Sequence, residues 1–512
     1  MRTKYFLLSL YFLPFLSSIA SAQSPSTDDG KINIQILQLN DVYEIAPLEN
    51  GAVGGMARVA TVRQKLVKEN PATCTIMSGD FLFPSAMGTI SYEGKAIKGR
   101  QMVEVMNAAG IDLVTFGNHE FDLKEGELKD RINESRFDWV CANVLNKTAS
   151  GNLSFAKAAH FSNEIIPQTK VLQFKDADGT AIRVGVFGIC ISSTVSSYVT
   201  YEDYAAAARR AISELEGKTD FIVAITHLSI VDDKKLAAAF PQLRLLIGGH
   251  EHIASYDTVG AVIIAKADAN ARTVYVHQLN YDKTTRQLGI RSQLTKIDET
   301  IPDEPVTKAA VDKWIAIADK SLRDQGFAPD EVLATLSETY DGRESSVRYT
   351  STNLTRLIAK AFSAAWPGSD ASMYNGGSIR LDDELSGAIT QYDVIRTLPY
   401  GGKILLAEMK GSLLRRALDS AMKHPGNGCF LQYDRIIKDK KKGWLVNGVK
   451  LDNKKVYKVA ANDYLVSGTQ QFLEFLNDKN PEMISITQPQ AGNKAQEDLR
   501  QAVIVYLRGG GR

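Results

Sequence analysis

The octapeptide FGNHEFDL, residues 116–123, closes an apolar run with a cluster of polar side chains. Within five positions it supplies an amide, an imidazole and two carboxylates: Asn118, His119, Glu120 and Asp122. Such side chains bind metals or oxyanions or transfer protons, but they also occur in ordinary polar turns after buried strands. Because short motifs match by chance, the function of this stretch depends on the residues found at the ends of the other strands.

Short apolar strands alternate with helical patterns through the first 300 residues. The strand candidates are 32–39, 73–77, 111–116, 139–144, 184–191, 221–225 and 243–247. Apolar residues recur at helical spacing in 57–67 and in the alanine-rich segment 204–215. This alternation predicts a layered α/β domain whose strands are buried on both faces.

Five of the predicted strands end in residues typical of metal ligands. In chain order these are Asp41 with Tyr43, Asp80, Asn118 with His119, His227, and His250 with His252. The carboxyl ends of strands form the crevice in which open α/β sheets bind ligands. Oxygen and nitrogen ligands without thiolates suit manganese, zinc, iron or calcium-like ions. With a bridging carboxylate, two such ions can activate water for an in-line displacement at phosphorus.

Together these motifs resemble the calcineurin-like metallophosphoesterases, and their order and spacing resemble the 5′-nucleotidase branch. The resemblance implies an α/β fold with a four-layer metallophosphoesterase β-sandwich flanked by helices, followed by a second α/β C-terminal domain. It also implies two divalent metal ions, with zinc, manganese, cobalt or calcium as candidates, bridged by Asp80. The other implied ligands are Asp41 and His252 at one ion and Asn118, His227 and His250 at the other.

The same resemblance implies that His119 faces the substrate phosphate as a transition-state stabiliser or acid and that Asp122 orients it. At one position the chain departs from the family, which usually has a histidine where this sequence has Tyr43. Three interpretations stay open. Tyr43 ligates the metal, which favours ferric iron; it stands aside for the other ligands and water; or the site is metal-deficient and weakly active.

The second half of the chain contains motifs that suit a phosphate ester. In the segment NGGSIR, 375–380, two glycines let the backbone approach an anion, and the arginine can form a bidentate contact. With 346–354, 398–402 and 461–465, this segment resembles the C-terminal substrate domain of 5′-nucleotidases. The implied polar contacts are Arg348, Asn375 and Arg380, and the implied aromatic sandwich around a base is Tyr400 and Tyr464.

A second departure concerns Gln470, which stands where the family commonly has an aspartate that contacts the ribose hydroxyls. An amide can still bond a diol, but without charge assistance. A stacked aromatic pair accepts any flat ring, since every base has a π-face. The preference for a ribonucleoside therefore stays open.

Changes in residue composition and hydrophobic pattern along the chain predict the domain boundaries. The N-terminus combines a short positive region, a short apolar stretch and Ala-Ser-Ala, which is typical of a signal peptide cleaved after Ala22. Beyond it, a proline-bearing boundary near residue 300 precedes an amphipathic helix. The predicted units are a signal peptide at 1–22, a metallophosphoesterase domain at 31–300, a linker helix at 301–328 and a 5′-nucleotidase C-terminal domain at 329–508.

Composition limits the partners and the compartment. The 512 residues carry a formal net charge of +1, so no global field favours a nucleic acid polymer. No other segment approaches the length of a membrane span. The predicted protein is exported, periplasmic or extracellular after cleavage, and binds a small phosphate ester; its oligomeric state stays open. Four cysteines are expected as buried hydrophobes, with a disulfide left open: Cys74, Cys141, Cys190 and Cys429.

The motifs predict a phosphoric monoester hydrolase of the 5′-nucleotidase type, releasing phosphate from nucleoside monophosphates by attack of a dimetal-activated water. One alternative is a phosphatase of a non-nucleotide ester, such as a sugar phosphate or phosphoglycerate derivative, or a cyclic-nucleotide phosphodiesterase. Another, from a different class, is a weakly active nucleotide-binding protein, which the Tyr43 and Gln470 departures motivate.

Overall fold

Two six-stranded sheets build the first half of the protein. The computed structural model describes residues 28–158, 163–194 and 196–511, so the predicted signal peptide lies outside the described residues. The first sheet runs in the spatial order Gln287–Lys296, Thr273–Asp282, Lys31–Leu39, Thr73–Met77, Leu113–Val114 and Asp138–Trp139. The second runs in the order Thr169–Lys175, Ala181–Cys190, Phe221–His227, Leu245–Gly248, Val262–Lys266 and Ser255–Val259.

The two sheets pack face to face around one apolar layer. Ile34 and Ile76 of the first sheet lie in the same buried cluster as Val186, Val223 and Ile247 of the second. The central strands of each sheet are parallel. Because parallel strands end at the same sheet edge, the residues after Lys31–Leu39, Thr73–Met77 and Leu113–Val114 meet there. This edge positions the site.

Helices cover the outer faces of both sheets, which confirms the four-layer fold. One outer layer packs Met56, Val59 and Met102 against the first sheet, and the other packs Ala211 and Leu236 against the second. The helices of the first half are Met56–Glu69, Arg100–Ala109, Glu125–Glu134, Tyr204–Leu215 and Ile230–Ala239. Short 3-10 turns lie at Met87–Thr89, His119–Asp122 and Ala269–Ala271.

The helix Pro305–Asp324 joins the two halves and follows the predicted linker closely. Its buried Trp314 donates from Nε1 to Glu104 Oε2 at 3.2 Å and meets the Tyr92 ring edge-on, with centroids 5.6 Å apart. The helix is therefore fixed to the first half. It ends before Gly326, whose φ of 87° suits glycine. The domain boundaries themselves stay predictions.

A five-stranded mixed sheet organises the second half. Its order is Leu431–Asp434, Ala371–Asn375, Val456–Asn462, Ile404–Lys410 and Met483–Thr487. Its helices are Glu344–Val347, Asn353–Ala365, Gln391–Thr397, Gly411–Met422, Lys494–Glu497 and Leu499–Arg508, with 3-10 turns at Gly376–Ser378 and Leu465–Ser467. This confirms the second α/β domain.

Short strands decorate both halves. Three-stranded sheets combine Val199–Tyr201, Val144–Thr148 and Gly151–Leu153, and Ile436–Asp439, Gly443–Val446 and Val449–Lys450. Two-stranded pairs are Ser91–Tyr92 with Lys95–Ala96, Ala156–Lys157 with Glu164–Ile165, Val332–Thr335 with Ala388–Thr390, and Tyr340–Asp341 with Glu384–Leu385.

The prediction of one continuous strand over 139–144 is wrong. The chain instead forms Asp138–Trp139 and Val144–Thr148, which belong to different sheets. Asn143 lies between them, and its side chain exchanges two hydrogen bonds with the Cys190 backbone, at 2.7 and 2.9 Å. These side-chain bonds replace the ladder bonds that a continuous strand would make.

All four cysteines are free and buried, as expected for small hydrophobic side chains. Among the described residues, no helix combines the length and the apolar character that crossing a bilayer requires.

Candidate active site

The carboxylate of Glu120 shapes the turns that carry the predicted ligands. It is fully buried and accepts hydrogen bonds from four backbone N–H groups, those of Asp80, Phe81, Leu82 and Gly117, at 2.6–3.1 Å. Burial and Asp80 raise the pKa of Glu120 to about 7, against these bonds. The predicted strand 111–116 is shorter in the structure, where it covers Leu113–Val114.

Two glycines permit the close approach of these turns. A Cβ on Gly117 would lie 2.1 Å from Asp80 Oδ1, and one on Gly249 would lie 2.6 Å from the Ser78 carbonyl oxygen. Both distances are far inside van der Waals contact. Gly117 and Gly249, which precede Asn118 and His250, are therefore required because any larger side chain would clash with neighbouring atoms.

Four of the predicted metal ligands have left-handed backbones. The φ angles are 53° at Asp41, 55° at Asp80, 90° at His250 and 60° at His252. Non-glycine residues rarely adopt this region, and such strain collects at functional sites. The strained backbone turns these side chains toward one point beyond the strand ends.

The predicted ligands converge on a buried cluster. Ligand atoms of Asp41, Asp80 and His227 all lie within 4.8 Å of one another. His227 Nε2 is 3.1 Å from Asp80 Oδ2, and His252 Nε2 is 3.2 Å from Asp41 Oδ1. The His250 ring lies beside that of His227, with centroids 5.3 Å apart, and its backbone N–H donates to Asp41 Oδ2 at 2.9 Å.

The cluster fits metal ions. Among the described residues, four buried side-chain atoms of the predicted ligands have no well-aligned hydrogen bond: Asp41 Oδ1, Asn118 Oδ1, His227 Nε2 and His252 Nδ1. The other ring nitrogen of His227 donates to the Ser78 carbonyl at 2.7 Å, so Nε2 is the nitrogen that faces the carboxylates. Burial opposes protonation of this ring, but Asp80 and Asp41 outweigh it and raise the pKa of His227 to about 9, so a metal would replace a proton at Nε2. Unpaired buried polar atoms are costly, and a cation between Asp41, Asp80 and His227, whose ligand atoms lie together, would satisfy those of Asp41 and His227.

The charges of the cluster favour cation binding. Burial opposes ionisation of Asp80, but His227 and His119 outweigh it and hold the pKa of this carboxyl below its ordinary range. At His250, burial and the neighbouring His227 lower the pKa to about 3, which leaves a neutral imidazole. Ionised carboxylates and neutral imidazoles are the forms that ligate metals.

Tyr43 points into the cluster. Its hydroxyl donates to Asp80 Oδ2 at 3.1 Å and lies 3.3 Å from His252 Nε2. Burial, then Asp80 and Asp41, raise the pKa of this phenol well above its ordinary value. Tyr43 therefore stays protonated unless a strongly Lewis-acidic ion displaces its proton.

His119 lies beside the cluster and pairs with Asp122. Its backbone N–H donates to Asp80 Oδ1 at 2.8 Å, while its Nδ1 is 2.7 Å from Asp122 Oδ2. Burial opposes protonation of the imidazole, but Asp122 and Asp80 outweigh it and raise the pKa of His119. Because Asp122 engages Nδ1, Nε2 is the nitrogen left for a substrate. His119 lines a cleft of about 680 Å³ with Asp80, His250 and His252.

All six predicted substrate contacts line one cavity in the second half. The cavity has a volume of about 460 Å³, and these residues are Arg348, Asn375, Arg380, Tyr400, Tyr464 and Gln470. The Nε atoms of Arg348 and Arg380 are buried and have no hydrogen-bond partner among the described residues. Two guanidinium groups with spare donors suit an anion.

Two residues that line this cavity also contact the first half of the chain. Arg380 Nη2 lies 3.6 Å from Asp122 Oδ2, across the boundary between the two halves. Phe83 of the first half meets the Tyr400 ring with centroids 5.9 Å apart. A phosphate between Arg380 and His119 would touch both halves.

Comparisons with known proteins match both halves of the chain. The family model for calcineurin-like phosphoesterase matches residues 34–254, and that for 5′-nucleotidase, C-terminal domain, matches residues 332–477. A 5′-nucleotidase from Homo sapiens is 25% identical, over 86% of this chain and 84% of its own length.

The chain joins a calcineurin-like phosphoesterase domain to a 5′-nucleotidase C-terminal domain.

Solved structures show the same fold. A 5′-nucleotidase precursor from Thermus thermophilus superposes with a TM-score of 0.70 at 20% identity, over 93% of this chain and 96% of its own. The sulfate thiohydrolase SoxB of the same species, in complex with glycerol, has a TM-score of 0.65 at 15% identity, over 98% and 96%.

Sequence reasoning missed a buried lysine beneath this 5′-nucleotidase-type site. The Lys266 ammonium donates to the carbonyls of Leu228 and Gly249 at 2.6 and 2.8 Å and pairs with Asp233 at 2.8 Å and with Glu251. It thereby ties the loop after His227 to the loop before His250. The sequence signal was a lone lysine ending the apolar run 262–266.

His119→Ala should lower turnover by about 10²–10⁴-fold while metal content stays unchanged, because a positioned acid contributes that much and His119 is not assigned as a ligand. Elemental analysis of the purified variant, beside phosphate-release kinetics, checks this. His250→Ala is the comparison that should lose metal. Loss of an ion from His119→Ala would contradict the assignment.

For Tyr43 we expect a visible charge-transfer band when the protein is loaded with ferric iron, and no band with zinc or manganese. Tyr43→Phe should abolish the band because it removes the phenol that reaches Asp80 and His252. Absorption spectra of the iron-loaded variants measure this. Tyr281→Phe, which alters a buried tyrosine elsewhere, is the control, and a band surviving Tyr43→Phe would show that Tyr43 is not a ligand.

Proposed function

We propose that this protein is an exported, metal-dependent phosphohydrolase that releases phosphate from nucleoside monophosphates. The observation that carries the proposal is the junction of two sites: Arg380 of the substrate cavity lies 3.6 Å from Asp122, the partner of His119. A cavity edged by two aromatic rings and two arginines, joined to a metal cluster, suits a flat base carrying a phosphate. Export is inferred from the signal-peptide pattern of residues 1–22.

Different side chains would hold the metal ions and the substrate phosphate. Asp80 would bridge two divalent ions, with Asp41 and His252 at one and Asn118, His227 and His250 at the other. When bound, such ions activate water and neutralise charge on the phosphate oxygens. Arg348 and Arg380 would hold the phosphate through their free Nε–H donors.

His119 supplies a proton at its Nε2. Asp122 fixes the imidazole from the Nδ1 side at 2.7 Å and stabilises its charged form. The raised pKa of His119 keeps a share of imidazolium near neutral pH. From this position Nε2–H can stabilise the charge that develops on the phosphate or protonate the departing ester oxygen.

Two tyrosines would hold the base. Tyr400 and Tyr464 both line the cavity and are 49% and 48% exposed, so each has ring surface available for contact with a ligand. The Arg380 guanidinium lies over the Tyr400 ring, 5.6 Å from its centroid, which fixes that ring's orientation. A base stacked between these rings would place its ribose near Gln470.

Gln470 favours one second candidate, a phosphatase of a non-nucleotide ester. Among the described residues that line the cavity, none is a carboxylate that could accept bonds from a ribose diol. Gln470 is buried, and its amide donates to the Gln471 carbonyl at 3.3 Å. The fold alone does not distinguish a nucleotide substrate from a non-nucleotide one, because the SoxB structure, that of a sulfate thiohydrolase, has the same fold.

The proposed activity predicts phosphate release from nucleoside monophosphates that a chelator abolishes and a divalent ion restores. A screen of nucleotides, sugar phosphates and cyclic nucleotides, each with manganese, zinc, iron, cobalt or calcium, measures it. Asp80→Asn should remove activity, because this carboxylate would contact both ions. Asp257→Asn, which alters a surface ion pair with Lys234, is the charge-matched control. Near wild-type rates in Asp80→Asn would rule out the two-metal assignment.

Tyr400→Ala and Tyr464→Ala should each raise KM for a nucleoside monophosphate but barely change KM for a small aryl phosphate, which cannot span both sites. Loss of one stacked ring corresponds to about 1–3 kcal/mol, or roughly 5–150-fold. Steady-state kinetics with both substrates measure the difference. Tyr256→Ala, at a tyrosine with 48% exposure outside both cavities, should shift neither. Equal shifts for both substrates would favour the non-nucleotide ester.

A further inference from the structure

One carboxylate at the metal cluster comes from the other half of the chain. Asp382 Oδ2 lies 2.7 Å from His252 Nδ1. The opposite nitrogen, Nε2, lies 3.2 Å from Asp41 Oδ1 and 3.3 Å from the Tyr43 hydroxyl. His252 therefore stands between the ligand cluster of the first half and a carboxylate of the second.

The partner on one ring nitrogen fixes the proton of a histidine. A carboxylate at Nδ1 holds the proton there, and the Nε2 lone pair is then free for a metal. At His227 the Ser78 carbonyl plays this part from within the first half. At His252 the group beside Nδ1 is the Asp382 carboxylate, an ion-pair partner at 2.7 Å that belongs to another part of the fold.

Contacts other than the one with His252 hold Asp382 in place. Its Oδ1 accepts a hydrogen bond from the Glu344 backbone N–H at 2.6 Å, and its own φ is 40°. The adjacent Asp383 pairs with Arg272 of the first half at 2.6 Å. These contacts aim the free oxygen of Asp382 at His252.

We propose that Asp382 is a positioning residue for the metal ligand His252, so that metal binding there and contact between the two halves stabilise each other. The inference rests on the proposed function for the presence of metal ions. It adds that one ion is held fully only while the second half is docked. Coupling of this kind is reciprocal: if docking strengthens metal binding, metal binding strengthens docking by the same factor.

Other contacts across the same boundary would form and break together with this one. The Tyr392 hydroxyl donates to Glu44 at 2.9 Å, one residue after Tyr43. Arg272 also pairs with Glu49 at 2.6 Å, which places its guanidinium between the halves. Asp382 differs from these groups because it alone of them faces a predicted ligand.

Asp382→Asn tests the inference. The variant keeps the side-chain size and tolerates the left-handed backbone. If its carbonyl oxygen keeps the bond to Glu344, its amide nitrogen faces His252 Nδ1, so two donors oppose each other. We expect one of two manganese-binding steps, measured by titration calorimetry of the full chain without substrate, to weaken about 10–100-fold. The other step should stay as in the wild type.

A second readout follows the two halves. Small-angle scattering should show that manganese makes the wild-type protein more compact and that Asp382→Asn loses most of this response. Glu384→Gln is the matched control: it removes one charge from the same loop, where Glu384 pairs with Arg343 at 3.0 Å. It should bind both ions normally.

The outcomes separate the inference from the proposed function. Wild-type affinities for both ions in Asp382→Asn would overturn the inference and leave the phosphohydrolase proposal standing. Equal weakening of both steps would also overturn it, since that indicates general disruption of the site. A wild-type protein that binds no manganese, zinc or iron would instead overturn the proposed function.

Discussion

The site depends on one buried carboxylate that never faces the substrate. Glu120 gathers four backbone N–H groups from the turns after two neighbouring strands, and thereby holds Asp80 against Asn118 and His119. A buried carboxylate without such donors would be strongly destabilising. The same four bonds also satisfy backbone groups that the strand ladder leaves unpaired. Glu120 therefore fixes the turns at the strand ends, positions the ligand side chains and pairs the buried backbone donors.

Around this turn the protein concentrates the negative charge of Asp41 and Asp80, which His252 and His227 contact at 3.2 and 3.1 Å. Two unit charges within 4.8 Å, the span of the Asp41, Asp80 and His227 atoms, repel by roughly 3 kcal/mol at an effective dielectric constant near 20. Lys266 braces the loops from behind, but its ammonium is occupied by Asp233, Glu251 and two carbonyls. The histidines and a bound cation are left to balance the carboxylates, which ties the order of the site to metal binding.

Strand ends were the most predictable part of the molecule. Apolar runs closed by Asp80 or His250 are local patterns, and parallel strands must bring their carboxyl ends to one edge. The roles of Glu120 and Asp382 were not predictable in the same way. Glu120 is a visible member of the 116–123 stretch, yet its bonds run backward to residues 80–82. Asp382 acts on His252 from a distant part of the sequence, and no periodicity encodes such a contact.

The left-handed backbones of Asp41, Asp80, His250 and His252 have a consequence for the history of the chain. Each strained residue costs about 1–3 kcal/mol relative to a relaxed conformation. Glycine would relieve this backbone strain and erase the ligand, although at Asp41 and Asp80 it would also remove the carboxylates that accept the His250 and His119 backbone N–H groups. Backbone relaxation and metal ligation are thus opposed at the same four positions. A descendant released from catalysis would be free to lose these ligands and relax its backbone.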